Sequence, residues 1–267
     1  IIDPQNAGIS GNMIIGALVD LGADGEKVKC LMEDVAVDFG EVEVSLNKVN
    51  KSGIDATFCN VKTIDEDNEN NHHVHFPDFM EKIDLLKYAD IENLTDEMVE
   101  MAKKVFKRIA ISESRVHGKS LEEVHFHEVG AADAVADVLG SICAYFDLGM
   151  DKDKVVGLPI AVGGGVVVTA HGRIPVPAPA SLDILKGLNE DSFKDFSKGE
   201  AKCVGGPVNS ELATPTGCAL YMEFCDEFLE FAPMMSPEEI AYGCGSKEFD
   251  FPNVLRVIKS KNTNGKH

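Results

Sequence analysis

Apolar residues recur at helical spacing in several long segments of this chain, and each such segment predicts a helix. The first follows Ser10, a residue type that favours the N-cap position, and it ends before Gly22. The longest opens at Thr95, where two acidic residues suit the first helical turn. The predicted helices cover 13–21, 26–35, a short segment from Pro77, 95–116 and 131–148, and two more begin near Ala178 and Pro215.

Two other segments alternate apolar and polar residues, which is the pattern of half-buried strands. The alternation runs through Val42, Val44 and Leu46, and it resumes over 57–61 after a break at 52–53. This arrangement predicts an antiparallel pair. Further short strands are predicted at 155–158, 166–169 and 254–258. Because short strands mix with helices without a regular strand–helix repeat, we predict an α+β fold with short, mainly antiparallel sheets.

The pattern of apolar positions stops between residues 64 and 76, where acidic residues, asparagines and histidines take over. A segment with nothing to bury is typical of a loop or a linker. We therefore divide the chain into an N-terminal α+β segment (1–67), a histidine-rich acidic linker (68–76) and a main α+β domain (77–267).

The composition is that of a folded, strongly acidic protein. Of 267 residues, 44% are hydrophobic and 26% charged, and the formal net charge is −20. This charge argues against binding to nucleic acid or to an anionic membrane, and it suits a metal cation. No apolar run could cross a bilayer, the first residues lack the features of a secretory signal, and the seven cysteines include no C-x-x-C pair. We therefore expect a cytoplasmic protein.

The strongest candidate for a metal site is the segment His125-Phe-His127-Glu128. Two histidines at i and i+2 on an extended segment point to the same side, and Glu128 can supply an oxygen or orient a ring. Asp133 and Asp137 follow at i and i+4, on one face of an otherwise apolar helix. A shared cation would explain charge on such a helix. The alternative is that Asp133 interacts with the helix dipole and Asp137 pairs with a lysine or arginine.

A third histidine, His171, lies between a predicted strand and a proline-rich loop, a position in which active-site groups are often held. It could be a further ligand or a general acid or base, and the neighbouring Arg173 could bind a carboxylate or phosphate. The alternative is a solvated turn with an arginine in a surface ion pair.

Two helix starts are candidate anion sites. One is Ser10-Gly11, and the other is the segment that contains Thr214, Thr216 and Gly217, with proline at the first helical position. Ordinary helix caps have the same sequences, so both interpretations stay open.

The linker contains a further group of histidines: His72, His73 and His75. Such a tract can hold labile metal and pass it on. A histidine-rich loop without a function is the alternative.

Several motifs follow one another along the chain. They are Asp3-Pro4 with Gly8-Ile9-Ser10-Gly11, Arg115-Val116-His117-Gly118, Val124-His125-Phe126-His127-Glu128-Val129-Gly130, the stretch from Ala170 to Ala180, Glu211 to Gly217, and Tyr242-Gly243-Cys244-Gly245 with Pro252-Asn253-Val254-Leu255-Arg256. In this order, and over essentially the whole chain, they resemble the LarC family of nickel-insertion enzymes. The most specific parts are the H-F-H-E-V-G and H-G-x-x-P-V-P-A-P-A stretches.

The resemblance implies a nickel chelatase, a lyase that inserts nickel into pyridinium-3,5-bisthiocarboxylic acid mononucleotide. The product is the nickel-pincer cofactor of lactate racemase and related enzymes. The resemblance also implies the use of CTP with manganese or magnesium. In this family CTP binding is attributed to a further C-terminal domain, which we expect to be absent from this chain. Association with a separate C-terminal domain and assembly into a homo-oligomer are left open.

Our leading hypothesis is that His125, His127 and His171 bind metal together with Glu128 or the aspartate pair. Arg173 and the two helix starts then receive the anionic substrate. Two alternatives belong to other functional classes. One is a metallochaperone that stores nickel on the histidines of the linker. The other is a metal-dependent phosphohydrolase in which Glu128 is the general base for a bound water.

Overall fold

The computed structural model describes residues 1–64, 74–126, 131–169, 172–189, 193–206 and 208–261. The helices of this part are α1 (Gly11–Asp20), α2 (Gly25–Ala36), α3 (Phe76–Leu85), α4 (Asp96–His117), α5 (Ala132–Asp147), α6 (Pro179–Lys186) and α7 (Pro215–Phe224). The strands are β1 (Ile2–Asp3), β2 (Val42–Lys51), β3 (Ile54–Thr63), β4 (Val74–His75), β5 (His125–Phe126), β6 (Val156–Gly157), β7 (Ile160–Ala161), β8 (Val166–Thr169), β9 (Gly172–Pro175), β10 (Cys203–Val204), β11 (Glu227–Phe228), β12 (Ser236–Cys244) and β13 (Val254–Lys261).

Seven strands build one mixed sheet in the order β11-β6-β1-β13-β12-β3-β2. β2 and β3 form the predicted antiparallel pair, in which Val44 lies opposite Val61. β12 with β13 and β1 with β13 are also antiparallel, whereas β1 with β6, β6 with β11 and β3 with β12 are parallel. The predicted α+β class is confirmed.

One hydrophobic core unites the elements on both sides of the predicted linker. Leu18 of α1, Met32 of α2 and Leu139 of α5 are all fully buried in it. The predicted segment 1–67 and the predicted domain 77–267 are therefore joined through one sheet and one core, while most of the linker lies outside the described residues. None of the described helices combines the length and the apolar character that a membrane span requires.

A short strand lies where the sequence predicts a loop. β4 pairs antiparallel with β5, and this places Val74 opposite Phe126 and His75 opposite His125. The prediction of a loop up to residue 76 is therefore wrong for Val74 and His75. Strand formation here depends on a partner about 50 residues further along the chain, which local propensity does not reveal.

The N-terminal ends of α1 and α7 are held side by side by backbone hydrogen bonds. The Ile9 N–H, before α1, donates to the Leu212 carbonyl at 2.9 Å, and the Thr214 N–H, before α7, donates to the Ile9 carbonyl at 3.0 Å. The other end of α1 is fixed by Asp20, whose carboxylate accepts from the Thr57 hydroxyl of β3 at 2.9 Å. Two helix starts that are distant in sequence thus lie next to each other.

A buried ion cluster ties α7 to α4. Arg108 of α4 donates to both carboxylate oxygens of Asp195, at 2.5 and 3.0 Å, and also to Glu223 of α7. The exposed side-chain fractions of Arg108 and Asp195 are only 1% and 3%. The guanidinium also lies 4.5 Å from the centre of the Phe193 ring. We call Arg108, Asp195 and Glu223 the Arg108 cluster.

Candidate functional site

A cavity of about 160 Å³ lies where the N-terminal ends of α1 and α7 meet. We call it the helix-start pocket. Its lining residues are Ala7, Ser10, Asn12, Met13, Glu211, Leu212, Thr214, Gly245, Ser246, Lys247, Phe249 and Asn253. The pocket therefore unites the two predicted anion sites with a third segment, the loop that follows β12.

Both predicted helix starts are confirmed as helix starts. Ser10 is the N-cap of α1, although its hydroxyl donates to the Asn12 side-chain oxygen at 2.6 Å instead of capping the helix. Thr214 is the N-cap of α7, and its hydroxyl accepts from the Gly217 N–H at 3.1 Å. Ser10 and Thr214 line the pocket, whereas Gly11, Thr216 and Gly217 are outside its lining.

The pocket carries both signs of charge and an aromatic ring. The exposed Lys247 ammonium donates to the Ser210 hydroxyl at 2.9 Å and to the Glu211 carbonyl at 3.2 Å. Glu211 adds a carboxylate, and Phe249 adds a ring. Sequence reasoning missed Lys247 and Phe249, since their segment has no motif of an anion site and reaches the pocket only through the tertiary fold.

Asp137 lies behind the start of α1. Its carboxylate accepts a hydrogen bond from the Asn12 backbone N–H, and a Cβ placed on Gly11 would lie 2.7 Å from Oδ2. The other oxygen, Oδ1, is buried without a hydrogen-bond partner in the described part of the chain. Burial, and secondly the negative charge of Asp133, raises the pKa of Asp137 to about 7. Its negative charge also offsets part of the positive end of α1.

Asp137→Asn is expected to change how stability depends on pH. The pKa of Asp137 is about 7 in the folded chain against an ordinary value of 3.8, so the folded state holds the proton more tightly than the unfolded state. The contribution of Asp137 to the free energy of unfolding is therefore fully present below about pH 4 and is lost as the pH rises through 7. With a metal chelator present, urea unfolding should show the variant more stable than the parent at pH 8. The difference should shrink towards pH 4. An equal difference at both pH values would contradict the assignment.

Two predicted metal ligands from different parts of the chain lie against each other. The ring centres of His75 and His125 are 4.0 Å apart, with 47° between the ring planes. The sequence suggests His75 as part of a labile loop and His125 as part of a separate site. The structure instead makes them direct neighbours across β4 and β5.

Comparison with known proteins gives the chain its family. The family model described as nickel insertion protein matches residues 1–267. The chain belongs to the nickel insertion protein family. No solved structure was found to match the chain.

The curated relatives of this nickel insertion family are longer than the chain. A "Putative nickel insertion protein" of Methanothermobacter thermautotrophicus is 45% identical over 259 residues, which are 97% of this chain and 58% of that protein. Pyridinium-3,5-bisthiocarboxylic acid mononucleotide nickel insertion proteins of Staphylococcus epidermidis and Thermotoga sp. are each 38% identical, over 95% and 96% of this chain. The chain covers 57% and 59% of those two proteins.

A member of a nickel insertion family must bind nickel, so the predicted metal ligands are the most important candidate residues. Only some of them lie within the described part of the chain. The predicted residues outside the described part are His72, His73, His127, Glu128 and His171. Within the described ranges, no three histidine, cysteine or acidic side chains gather around a common point. Arg173 lies exposed on β9 and is not among the residues that line the helix-start pocket. The ligand set of His125, His127 and His171 with Glu128 or the aspartates stays a prediction.

Proposed function

We propose that this chain takes part, in the cytoplasm, in the insertion of nickel into pyridinium-3,5-bisthiocarboxylic acid mononucleotide. The observation that carries the proposal is the helix-start pocket, because it brings two helix N-termini and Lys247 together in a member of the nickel insertion family. Two of the relatives are named for insertion of nickel into this compound. In this proposal the chain acts as a nickel chelatase, and nickel is its cargo.

The chemistry of the compound suits the mixed lining of the pocket. A mononucleotide carries a phosphate, which helix N-termini and an ammonium group bind well. The pyridinium ring is a cation, which is attracted to the Glu211 carboxylate and to the face of an aromatic ring such as Phe249. Because the Asn12 N–H is already bonded to Asp137 and the Gly217 N–H to Thr214, we assign the phosphate mainly to the Lys247 ammonium, and the positive end of the α7 dipole supports it.

The size of the pocket limits what it holds. Sites that enclose a whole small molecule usually measure about 300–1,000 Å³. At about 160 Å³ the pocket accommodates the phosphate end, which leaves the two thiocarboxylate groups outside it. His171 and Glu128, as acid, base or ligands, and Arg173, as a second anion contact, keep their predicted roles in this proposal. The use of CTP with manganese or magnesium stays an implication of the resemblance, and we assign no described residue to it.

Replacement of Lys247 by methionine tests the assignment of the phosphate. Hydrogen bonds to charged groups contribute about 1.5–3 kcal/mol, so we expect the Kd for the mononucleotide to rise about 10- to 100-fold in titrations without nickel. Lys202→Met is the matched control, because Lys202 is an exposed lysine that pairs only locally with Glu200. Equal affinities of the Lys247 and Lys202 variants would contradict the proposed phosphate site.

A further inference from the structure

The contact between His75 and His125 is a property of the strand pair and not of a flexible loop. Directly opposed residues of an antiparallel pair project from the same face of the pair. His75 and His125 are such residues, and their ring centres are 4.0 Å apart. A shift of the pairing by one residue would move one ring to the opposite face, so the contact depends on the register.

A buried aromatic group fixes this register. Phe126, which follows His125, is only 2% exposed and packs edge-to-face on Phe76 and Phe79 with ring centres 5.8 and 5.1 Å apart. The Phe76 N–H also donates to the Val124 carbonyl at 3.0 Å. Because Phe126 points into the core, the adjacent His125 must point the other way, towards His75.

The His75 ring is open to solvent, whereas the Nδ1 atom of His125 is buried, so a metal ion would bind the Nε2 atom of His125. His75 is exposed and His125 is half-buried. Neutral imidazole is a preferred ligand of nickel, copper and zinc. Two imidazoles on neighbouring positions of one ion have ring centres about 4.5 Å apart, so a movement of the exposed His75 ring by about 0.5 Å completes the arrangement. A pair of protein ligands also leaves the other positions of the ion open to water or to incoming sulfur ligands, which a site that hands its metal on requires.

We propose that His75 and His125 together form a site for one nickel ion, from which the ion is passed to the substrate. The site joins the histidine tract of the linker to the H-x-H-E segment, which the sequence presents as separate candidates. Its role in transfer rests on the proposed function, whereas the existence of the site does not. Nickel binding can therefore be measured alone, without mononucleotide or CTP.

Nickel titration of the chain and of its histidine variants tests the proposal. His75→Asn and His125→Asn should each weaken nickel binding at least about 10-fold, because each removes one of two ligands and even the loss of a group that orients a ligand costs about that much. The double variant should be at most a few-fold weaker than the worse single variant, because the chelate is already broken. His117→Asn is the control, since His117 is a partly exposed histidine of α4 that contacts Glu113 of the same helix at 3.1 Å. Its affinity should equal that of the parent.

Two results would overturn the shared site. One is a Kd within two-fold of the parent for either single variant. The other is a number of bound nickel ions that falls by one in each single variant while the affinity for the remaining ion is unchanged, because independent ions would then bind the two rings. A measurement on the unsubstituted chain removes any dependence on folding of the variants. Saturating nickel should protect both rings from carbethoxylation by diethyl pyrocarbonate but leave His117 reactive, and unprotected His75 would refute the site.

These outcomes are independent of those for the pocket. The Lys247 titration uses mononucleotide without nickel, and the histidine titration uses nickel without mononucleotide. If the nickel titration refutes the His75–His125 site while the Lys247 titration supports the phosphate site, the proposed function stands and nickel binds elsewhere in the chain. The opposite result would leave a nickel-binding chain whose substrate pocket is wrongly assigned.

Discussion

Replacement of Arg108 by alanine is expected to lower the free energy of unfolding by about 3–5 kcal/mol, as is typical when one partner of a buried ion pair is removed. The carboxylates of Asp195 and Glu223 would stay in the interior, and only 3% and 10% of these side chains are exposed. The Leu188 N–H, which donates to Asp195 at 2.8 Å, offsets little of that cost. Urea unfolding followed by circular dichroism measures the change.

The control for Arg108 is another arginine of the same helix. Arg115 is 42% exposed and lies 3.4 Å from Asp183, so its replacement by alanine should cost no more than about 1 kcal/mol. If Arg108→Ala does not accumulate as a folded protein, Arg108→Met provides a second variant that keeps much of the side-chain volume. A loss for the Arg108 variants no larger than that for Arg115→Ala would show that the Arg108 cluster contributes nothing special to stability.

The sequence predicts the helices well because they depend on local signals. α4 and α7 begin directly after Thr95 and Thr214, where the sequence predicts helix starts, and the antiparallel pair of β2 and β3 follows directly from the alternating pattern. β4 could not be predicted, since two residues carry no periodicity and gain their hydrogen bonds from β5. The Arg108 cluster is equally hidden, because its three members lie in separate segments and each resembles a surface residue in sequence.

The same contrast applies to the candidate site. Local sequence identifies Ser10 and Thr214 as helix starts, but it leaves open whether they bind an anion. What favours the binding interpretation is their convergence with Lys247, and that convergence arises from the backbone contacts around Ile9. Likewise, the sequence marks His75 and His125 as metal ligands, and only the strand register makes them partners. The two proposed sites thus depend on contacts between segments that are distant in the sequence.

Gly8 allows the backbone before α1 to approach the backbone before α7 closely, because it has no Cβ. Gly8→Ala is expected to lower the free energy of unfolding by about 3–4 kcal/mol. Its φ of +76° costs an alanine about 1 kcal/mol or more, and a Cβ there would overlap the Leu212 carbonyl and lie 2.6 Å from the Ala161 carbonyl oxygen. Gly118 has a similar φ of +63° with open space around it, so Gly118→Ala isolates the backbone cost.

The difference in the free energy of unfolding between Gly8→Ala and Gly118→Ala measures the cost of moving the start of α7 away from the start of α1. We expect Gly118→Ala to lose only about 1 kcal/mol and to bind the mononucleotide like the parent. Gly8→Ala should lose affinity as well as stability, because the overlap with Leu212 pushes the segment before α7 away from α1 and widens the helix-start pocket. Urea unfolding and mononucleotide titration of the folded variants test both effects. Equal losses for the two variants would mean that the close approach at Gly8 neither stabilises the chain nor shapes the pocket.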